Sequence, residues 1–393
     1  ERPRSLRWAE AFLASAAGST SRRWSLRLAR AALWARRFIP GRVVLRGLLR
    51  FIRMEAACCE RDSPHFKFLQ RYVDEFERCG LFDRMLRFFR EAPAPLAARR
   101  LDAWARMYAL ATLRHELLRP HAGRHGVPPR LLTEAQLALS PACDLACEGC
   151  YSVDDRGGKA PRRDDIAFLV DEVIGCGAFA VHLIGKGEPL LSPAWAGELL
   201  DVIEARPHAL FTLATHGMHL TDALAERLGS LANVVVFVAV DGPEALHDAR
   251  RGEGSYQRVR AALALLRRHG AMFGYSCMVS AKSRAAVASR EFVKAQEDAG
   301  RALGVYSRYF PLASDHVDAL ALDGPGLDAW RADFARARDA AGIPLLDLDE
   351  MEQQMLLKAK HEAKRSFAFY SDSATGGAGT VADRLAGFVT ATG

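Results

Sequence analysis

From residue 131 onward, short apolar runs alternate with segments whose apolar positions recur at helical spacing. AQLALS (135–140), AFAVHLIG (178–185), ALFTLATHG (209–217), NVVVFVAVDG (233–242), AMFGYSCMVS (271–280) and VYSRYFPL (305–312) have the pattern of strands. DDIAFLVDEVIGCG (164–177), PAWAGELLDVIEA (193–205), TDALAERLGSLA (221–232), SYQRVRAALALLRRHG (255–270) and EFVKAQEDAGRALG (291–304) have the pattern of helices. Strands of this kind separated by helices predict βα units and an α/β fold, with a parallel sheet covered by helices. Six such units are visible.

The first 120 residues have a different pattern. WSLRLARAALWARRFI (24–39) is apolar at helical spacing with arginines between, Pro40-Gly41 interrupts it, and RVVLRGLLRFIRM (42–54) resumes it. FKFLQRYVDEFERCG (66–80) and LAARRLDAWARMYALATLRHELL (96–118) predict two further helices, and GRHGVPPR (123–130) a linker. Past residue 320, 326–343 and 349–365 predict helices, and SDSATGGAGT a loop or tail. The expected organisation is a helical region over 1–130, a core over 131–320, and carboxyl-terminal helices with a tail over 321–393.

Charge sharpens this division. The net charge of the chain is +7, yet residues 1–53 hold 13 arginines against Glu1 and Glu10, a local +11 that leaves the remainder at about −4. Such a segment can bind anionic lipid, nucleic acid or an acidic partner. It shows no nucleic-acid recognition motif, so no specific nucleic acid is expected. Eight cysteines in 393 residues do not make a disulfide scaffold, and no apolar run is long enough to span a bilayer. The expectation is a reducing, cytoplasmic protein with peripheral membrane contact through residues 1–53.

The chemistry concentrates in SPACDLACEGCYS (140–152), which directly follows the first strand and places Cys143, Cys147 and Cys150 within eight residues. Ligand sites of parallel α/β sheets lie at that end of the strands. A structural zinc site takes four closed ligands, and only three thiols stand here. A catalytic zinc site would want a histidine, and the loop has none nearby in sequence. An iron–sulfur cube normally takes four cysteines; three leave one iron open to bind another molecule. Cys58, Cys59, Cys79, Cys176 and Cys277 are most simply small buried hydrophobes.

Strand–CDLACEGCY–helix, followed in order by GKGEPLL (185–191), ATHG (214–217) and VAVDGPEALHDARRGEGSYQRV (238–259), resembles the radical S-adenosylmethionine (radical SAM) superfamily over about 131–315. The resemblance implies a partial (βα)6 TIM-like barrel, to which the helical pattern of the first 120 residues adds an amino-terminal helical extension. It implies a [4Fe–4S] cluster on Cys143, Cys147 and Cys150, with SAM chelating the fourth iron. Tyr151, Gly185, Lys186, Gly187, Glu188, Pro189 and Asp241 are then the expected cofactor-binding residues, with the GKGEP stretch beside the SAM amino group.

The implied activity is reductive cleavage of SAM to a 5′-deoxyadenosyl radical that modifies a substrate. The expected partners are a one-electron reductant such as a flavodoxin or ferredoxin and an unidentified substrate. A lipid or other hydrophobic molecule is favoured. A peptide- or protein-modifying maturase is the alternative, and a zinc- or cluster-holding nucleic-acid-binding protein the reading from another class.

This chain departs from the family pattern at four places: Lys186 for a glycine, His216 for asparagine, Ala239 for serine, and Gly149 where many relatives carry an aromatic. A lysine ~6 Å from the cube would favour its reduced form by about 3 kcal/mol and make it a weaker reductant. Lys186 is therefore expected to point away.

Overall fold

The structure is a computed structural model that describes Arg100 and residues 134–138, 142–150, 162–178, 180–184, 187–311, 317–348 and 369–370. Its strands are β1 (Glu134–Ala138), β2 (Ala180–Ile184), β3 (Leu210–Thr215), β4 (Val234–Ala239), β5 (Phe273–Val279), β6 (Gly304–Arg308), β7 (Leu345–Asp347) and β8 (Phe369–Tyr370). All run parallel in one open sheet, in the order β7-β6-β5-β4-β3-β2-β1-β8. The first six strands lie in chain order, as a partial (βα)6 barrel requires.

The helices are α1 (Arg163–Gly175), α2 (Pro193–Glu204), α3 (Asp222–Ser230), α4 (Glu244–Arg251), α5 (Ser255–Arg268), α6 (Arg284–Val287), α7 (Arg290–Asp298) and α8 (Gly324–Ala340). Several start where the sequence supplies a side-chain cap. Ser192, Thr221, Ser289 and Asp323 each accept from the backbone N–H three residues on.

Strand register sorts the side chains onto two faces. Leu137, Leu183, Leu213, Val236 and Phe273 stand side by side across five strands. They are buried with Val170, Leu199, Ile203, Leu228, Val259 and Leu266 of the helices. Burying each such side chain contributes about 1.5–3 kcal/mol, so this face holds the helices to the sheet. The opposite face carries Gln136, His182, Thr212 and Val235 in one row and Ala214 and Phe237 in the next, all half-buried.

The structure adds elements beyond the six predicted units. α4 and α6 are extra short helices, and α8 with β7 continues the same sheet past residue 320. The second helix expected there, 349–365, lies outside the described residues, as do the helices and linker expected between 24 and 130, Arg100 excepted. Arg100 itself is buried against the core. Among the described residues no helix is long and apolar enough to cross a membrane.

Candidate active site

The carboxyl ends of the strands gather the site. The cysteine loop follows β1, Gly187-Glu188-Pro189 follows β2, Thr215-His216-Gly217 ends β3, Asp241 lies just past β4, and Tyr309 just past β6. Backbone bonds tie these loops together. The Glu188 N–H donates to the Ala142 carbonyl at 2.8 Å, and the Glu148 N–H to the Arg250 carbonyl at 3.0 Å. The cysteine loop is thereby held between the ends of β2 and α4.

Within the loop, the Cys150 N–H donates to the Cys147 carbonyl, closing a turn through Gly149 at φ +67°. A Cβ at residue 149 would lie 2.7 Å from both Tyr309 Cε2 and Leu320 Cδ1. The glycine that departs from the family pattern is thus required twice, by the left-handed backbone and by the side chains packed on it.

Cys143, Cys147 and Cys150 are all half-buried. The other two described cysteines belong elsewhere: Cys176 caps α1, and Cys277 is buried on the helix-facing side of β5. Burial pushes the Cys143 thiol up, the Leu145 N–H pulls it back, and the charges of Cys147, Glu188 and Asp144 raise it further. Three thiols on one loop fit a cluster with one open iron. The fold also brings a histidine to the loop that the sequence did not place there. Ligand atoms of Cys143, Asp144 and His216 lie within 4.8 Å of one another. That grouping uses one thiol of the three and does not account for the triplet.

Glu188 is 2% exposed, and its carboxylate faces inward. Oε1 accepts from the Leu190 N–H at 2.8 Å and from the Thr215 hydroxyl, and Oε2 from the His216 N–H at 2.7 Å. Pro189 is buried beside it and Gly187 half-buried. Tyr151, Gly185 and Lys186 lie outside the described residues, and with them the expected orientation of Lys186.

Asp241 is equally buried and equally committed. Its Oδ2 accepts from Arg250 Nη1 at 2.6 Å and Arg251 Nε at 2.5 Å, and its Oδ1 from the Met278 N–H at 2.9 Å. Burial opposes its charge, but Arg251 and Arg250 outweigh that and hold its carboxyl well below the usual range. Two guanidiniums against one carboxylate leave a positive charge over. For Arg251 burial again works against the charge, and the Asp241 carboxylate first, with smaller influences from the Cys147 and Glu188 side chains, reverses the sign and raises its pKa. Arg251 therefore connects Asp241 to the cysteine loop. It sits in the quoted motif but was not among the expected site residues.

His247 props this arrangement from behind. Its Nδ1 accepts the Asp241 N–H at 3.2 Å, and burial, the largest influence on it, lowers its pKa to about 4, so the ring is neutral. His216, His219 and Asp144 form a further cluster absent from the expected set. His216 Nε2 lies 3.0 Å from Asp144 Oδ1, and His219 Nε2 2.8 Å from Oδ2. These residues are 72 and 75 positions apart, and only the pairing of strand ends reveals them.

Comparison with known proteins points to the same region of the chain. Residues 137–279 match the family model of the Radical SAM superfamily. Pre-heme d1 synthase from Dinoroseobacter shibae is 26% identical over 188 residues, covering 45% of this chain and 44% of that protein. Among solved structures, Streptococcus suis SuiB bound to S-adenosylmethionine aligns with a TM-score of 0.47 at 15% identity, covering 61% of this chain and 55% of that one. A histidine-tagged anSMEcpe with bound AdoMet aligns with a TM-score of 0.44 at 18% identity, covering 60% and 65%. The chain spans less than half the length of the curated relative it matches. The match to the Radical SAM superfamily model thus covers the segment from β1 through β5, which carries the cysteine loop, Glu188 and Asp241.

Proposed function

We propose that this chain is a radical SAM enzyme that cleaves SAM reductively and uses the product radical on a substrate. The observation that carries this reading is the placement of three thiols on a loop at the carboxyl end of a parallel sheet, tied by backbone bonds to Glu188 and to Arg250, which with Arg251 holds Asp241. Cys143, Cys147 and Cys150 would hold the [4Fe–4S] cluster. When bound, that cluster would supply the one-electron chemistry for reductive cleavage of SAM to methionine and a 5′-deoxyadenosyl radical. The electron comes from an external one-electron donor of the flavodoxin or ferredoxin class.

The protein's own share is binding and orientation. Arg251, with the surplus positive charge of its group, suits the SAM carboxylate. Glu188 organises the strand ends that would face the SAM amino group. Asp241 keeps Arg251 aimed at the site.

The inner face of the sheet supports a hydrophobic substrate with one hydrogen-bonding group. Its strand positions Gln136, His182, Ile184, Thr212, Ala214, Val235, Phe237, Ser276 and Met278 bear no carboxylate or guanidinium, with Glu134 in the same face's register only at the amino end of β1, the end away from the cysteine loop, and His182 Nδ1 meets Thr212 Oγ1 at 2.9 Å. Peripheral membrane contact through residues 1–53, which lie outside the described residues, rests on their arginine content. Co-sedimentation with anionic vesicles should rise with anionic lipid and fall with salt.

The test of the activity is anaerobic incubation with SAM and a strong one-electron reductant. It should yield 5′-deoxyadenosine and methionine in step. S-adenosylhomocysteine as the only product would overturn the reading. A substrate screen that returned only charged peptides would overturn the hydrophobic class.

A further inference from the structure

His216 stands where relatives of this domain often carry asparagine, and its surroundings give the change a consequence. Its side chain is buried beneath the site, with only 4% of it exposed. The Met218 N–H donates to Nδ1 at 3.1 Å, so Nδ1 is an acceptor and the ring proton sits on Nε2. That single N–H donates to Asp144 Oδ1 at 3.0 Å, and Glu188 Oε2 lies beside it at 3.4 Å. One carboxylate belongs to the cysteine loop, next to Cys143; the other belongs to the loop after β2. His216 also donates its backbone N–H to Glu188 at 2.7 Å. His219 holds the second oxygen of Asp144 from the same β3 loop.

We infer that His216 is a positioning residue that couples the cysteine loop to the Glu188 loop, so that cluster retention and SAM binding depend on each other through it. The inference rests on the proposed function above. An asparagine at this position has a shorter side chain and does not span from the Met218 N–H to Asp144 as the imidazole does. The histidine spans it because its two ring nitrogens point in opposite directions. Removing the ring takes from Asp144 its hydrogen-bond donor and from Glu188 the 3.4 Å contact beside it, while the backbone N–H of residue 216 stays on Glu188, so the link between the two loops through the ring is lost. Partners that orient metal ligands from behind typically contribute 10–100-fold to metal affinity. Linkage requires that whatever cluster loading does for SAM, SAM does for the cluster.

The experiment measures iron loss from the reconstituted full chain to a ferrous chelator, with and without SAM, and SAM affinity by anaerobic calorimetry. His216→Ala is expected to lose iron about 10-fold faster. The protection that SAM gives, read as the ratio of the two rates, should shrink. Asp144→Asn should act alike, and the double variant should be no worse than either single one, because the pair works as a unit. His216→Asn should recover part of the retention and keeps the test decisive if His216→Ala does not fold. Wild-type rates of iron loss with unchanged SAM protection in both His216 variants would overturn the inference, as would simply multiplying effects in the double variant. Failure of the wild-type chain to hold about four irons would instead sink the proposed function, so the two failures are distinguishable.

Discussion

The ring of Tyr309, which follows β6, lies where a side chain on Gly149 would have to be: a Cβ there would sit 2.7 Å from Cε2 of the ring. The aromatic at this point of the cysteine loop thus comes from across the sheet and not from the loop itself. Gly149→Ala meets two costs, about 1–2 kcal/mol for a left-handed L-residue and the displacement of Tyr309 and Leu320. Its iron content after anaerobic reconstitution should fall below half that of the wild type. Adding Tyr309→Ala should recover part of it by opening space. Full iron content in Gly149→Ala alone would show that the loop does not depend on this packing.

The three loop cysteines should be separable from the rest by iron analysis. Cys143→Ala, Cys147→Ala and Cys150→Ala are each expected to abolish most of about four irons per chain. Cys176→Ser should keep them. Stoichiometric zinc in place of iron after reconstitution would favour the Cys143, Asp144 and His216 grouping and defeat the cluster assignment.

Asp241→Asn should be costly in two ways. It leaves Arg250 and Arg251 facing each other without their common carboxylate, and removing one partner of a buried ion pair costs about 3–5 kcal/mol. It also frees Arg251 from its aim, so SAM affinity should fall along with the urea midpoint. Because the folded state holds Asp241 ionised below its ordinary range, its stabilisation is complete above about pH 4 and is lost as pH falls below that. An Asp241→Asn chain as stable as wild type at pH 7 would remove the electrostatic account of this group.

What the sequence disclosed and what it hid follow from range. The six strands were legible because each is a run of apolar residues bounded by Gly, Pro or polar residues, a signal contained in a few neighbours. The cysteine spacing is local in the same sense. α4 was missed because EALHDARR buries only His247 among its side chains, so no apolar stripe marks it. Its place is fixed by Asp241 and the arginines it carries. β7 has three residues, too few for a pattern. Arg251 lay in view within the motif, but the Cys147 and Glu188 side chains whose charges act on it come from other strand ends. The Asp144–His216–His219 cluster needs the ends of β1 and β3 to be neighbours of β2, which no local pattern contains.

His247 predicts a pH dependence whose sign can be worked out. Its folded pKa of about 4 lies below the unfolded value near 6.5, so the unfolded chain binds the extra proton first. Stability from this group is complete above pH 6.5 and declines as pH falls toward 4. By pH 5 about 2 kcal/mol should be gone. Urea midpoints at pH 7 and pH 5 measure it, and His247→Gln should flatten the difference while costing stability at pH 7 by disturbing the Asp241 N–H contact. An unchanged pH dependence in the variant would assign the acid sensitivity to other groups.

Arg100 is a long way from the site in sequence, and its role is to close a joint. Its Nη2 donates to the carbonyls of Gly229, at the end of α3, and of Gly270, just past α5, at 2.9 and 2.5 Å. The two chain segments meet there without slack, since a Cβ on Gly229 would lie 2.1 Å from the His269 carbonyl oxygen. A guanidinium fits such a joint because it is planar, permanently charged and offers several donors from one head. Hydrogen bonds to a charged donor contribute about 1.5–3 kcal/mol each. Arg100→Ala should therefore lower stability by about 3–5 kcal/mol, close to the loss of both. Arg100→Lys should recover less than half, because a single ammonium on a flexible stem serves two carbonyls poorly. The joint lies away from the cysteine loop, so iron content at 4 °C should hold while the urea midpoint falls. A stability within about 0.5 kcal/mol of wild type would show that the joint closes without Arg100.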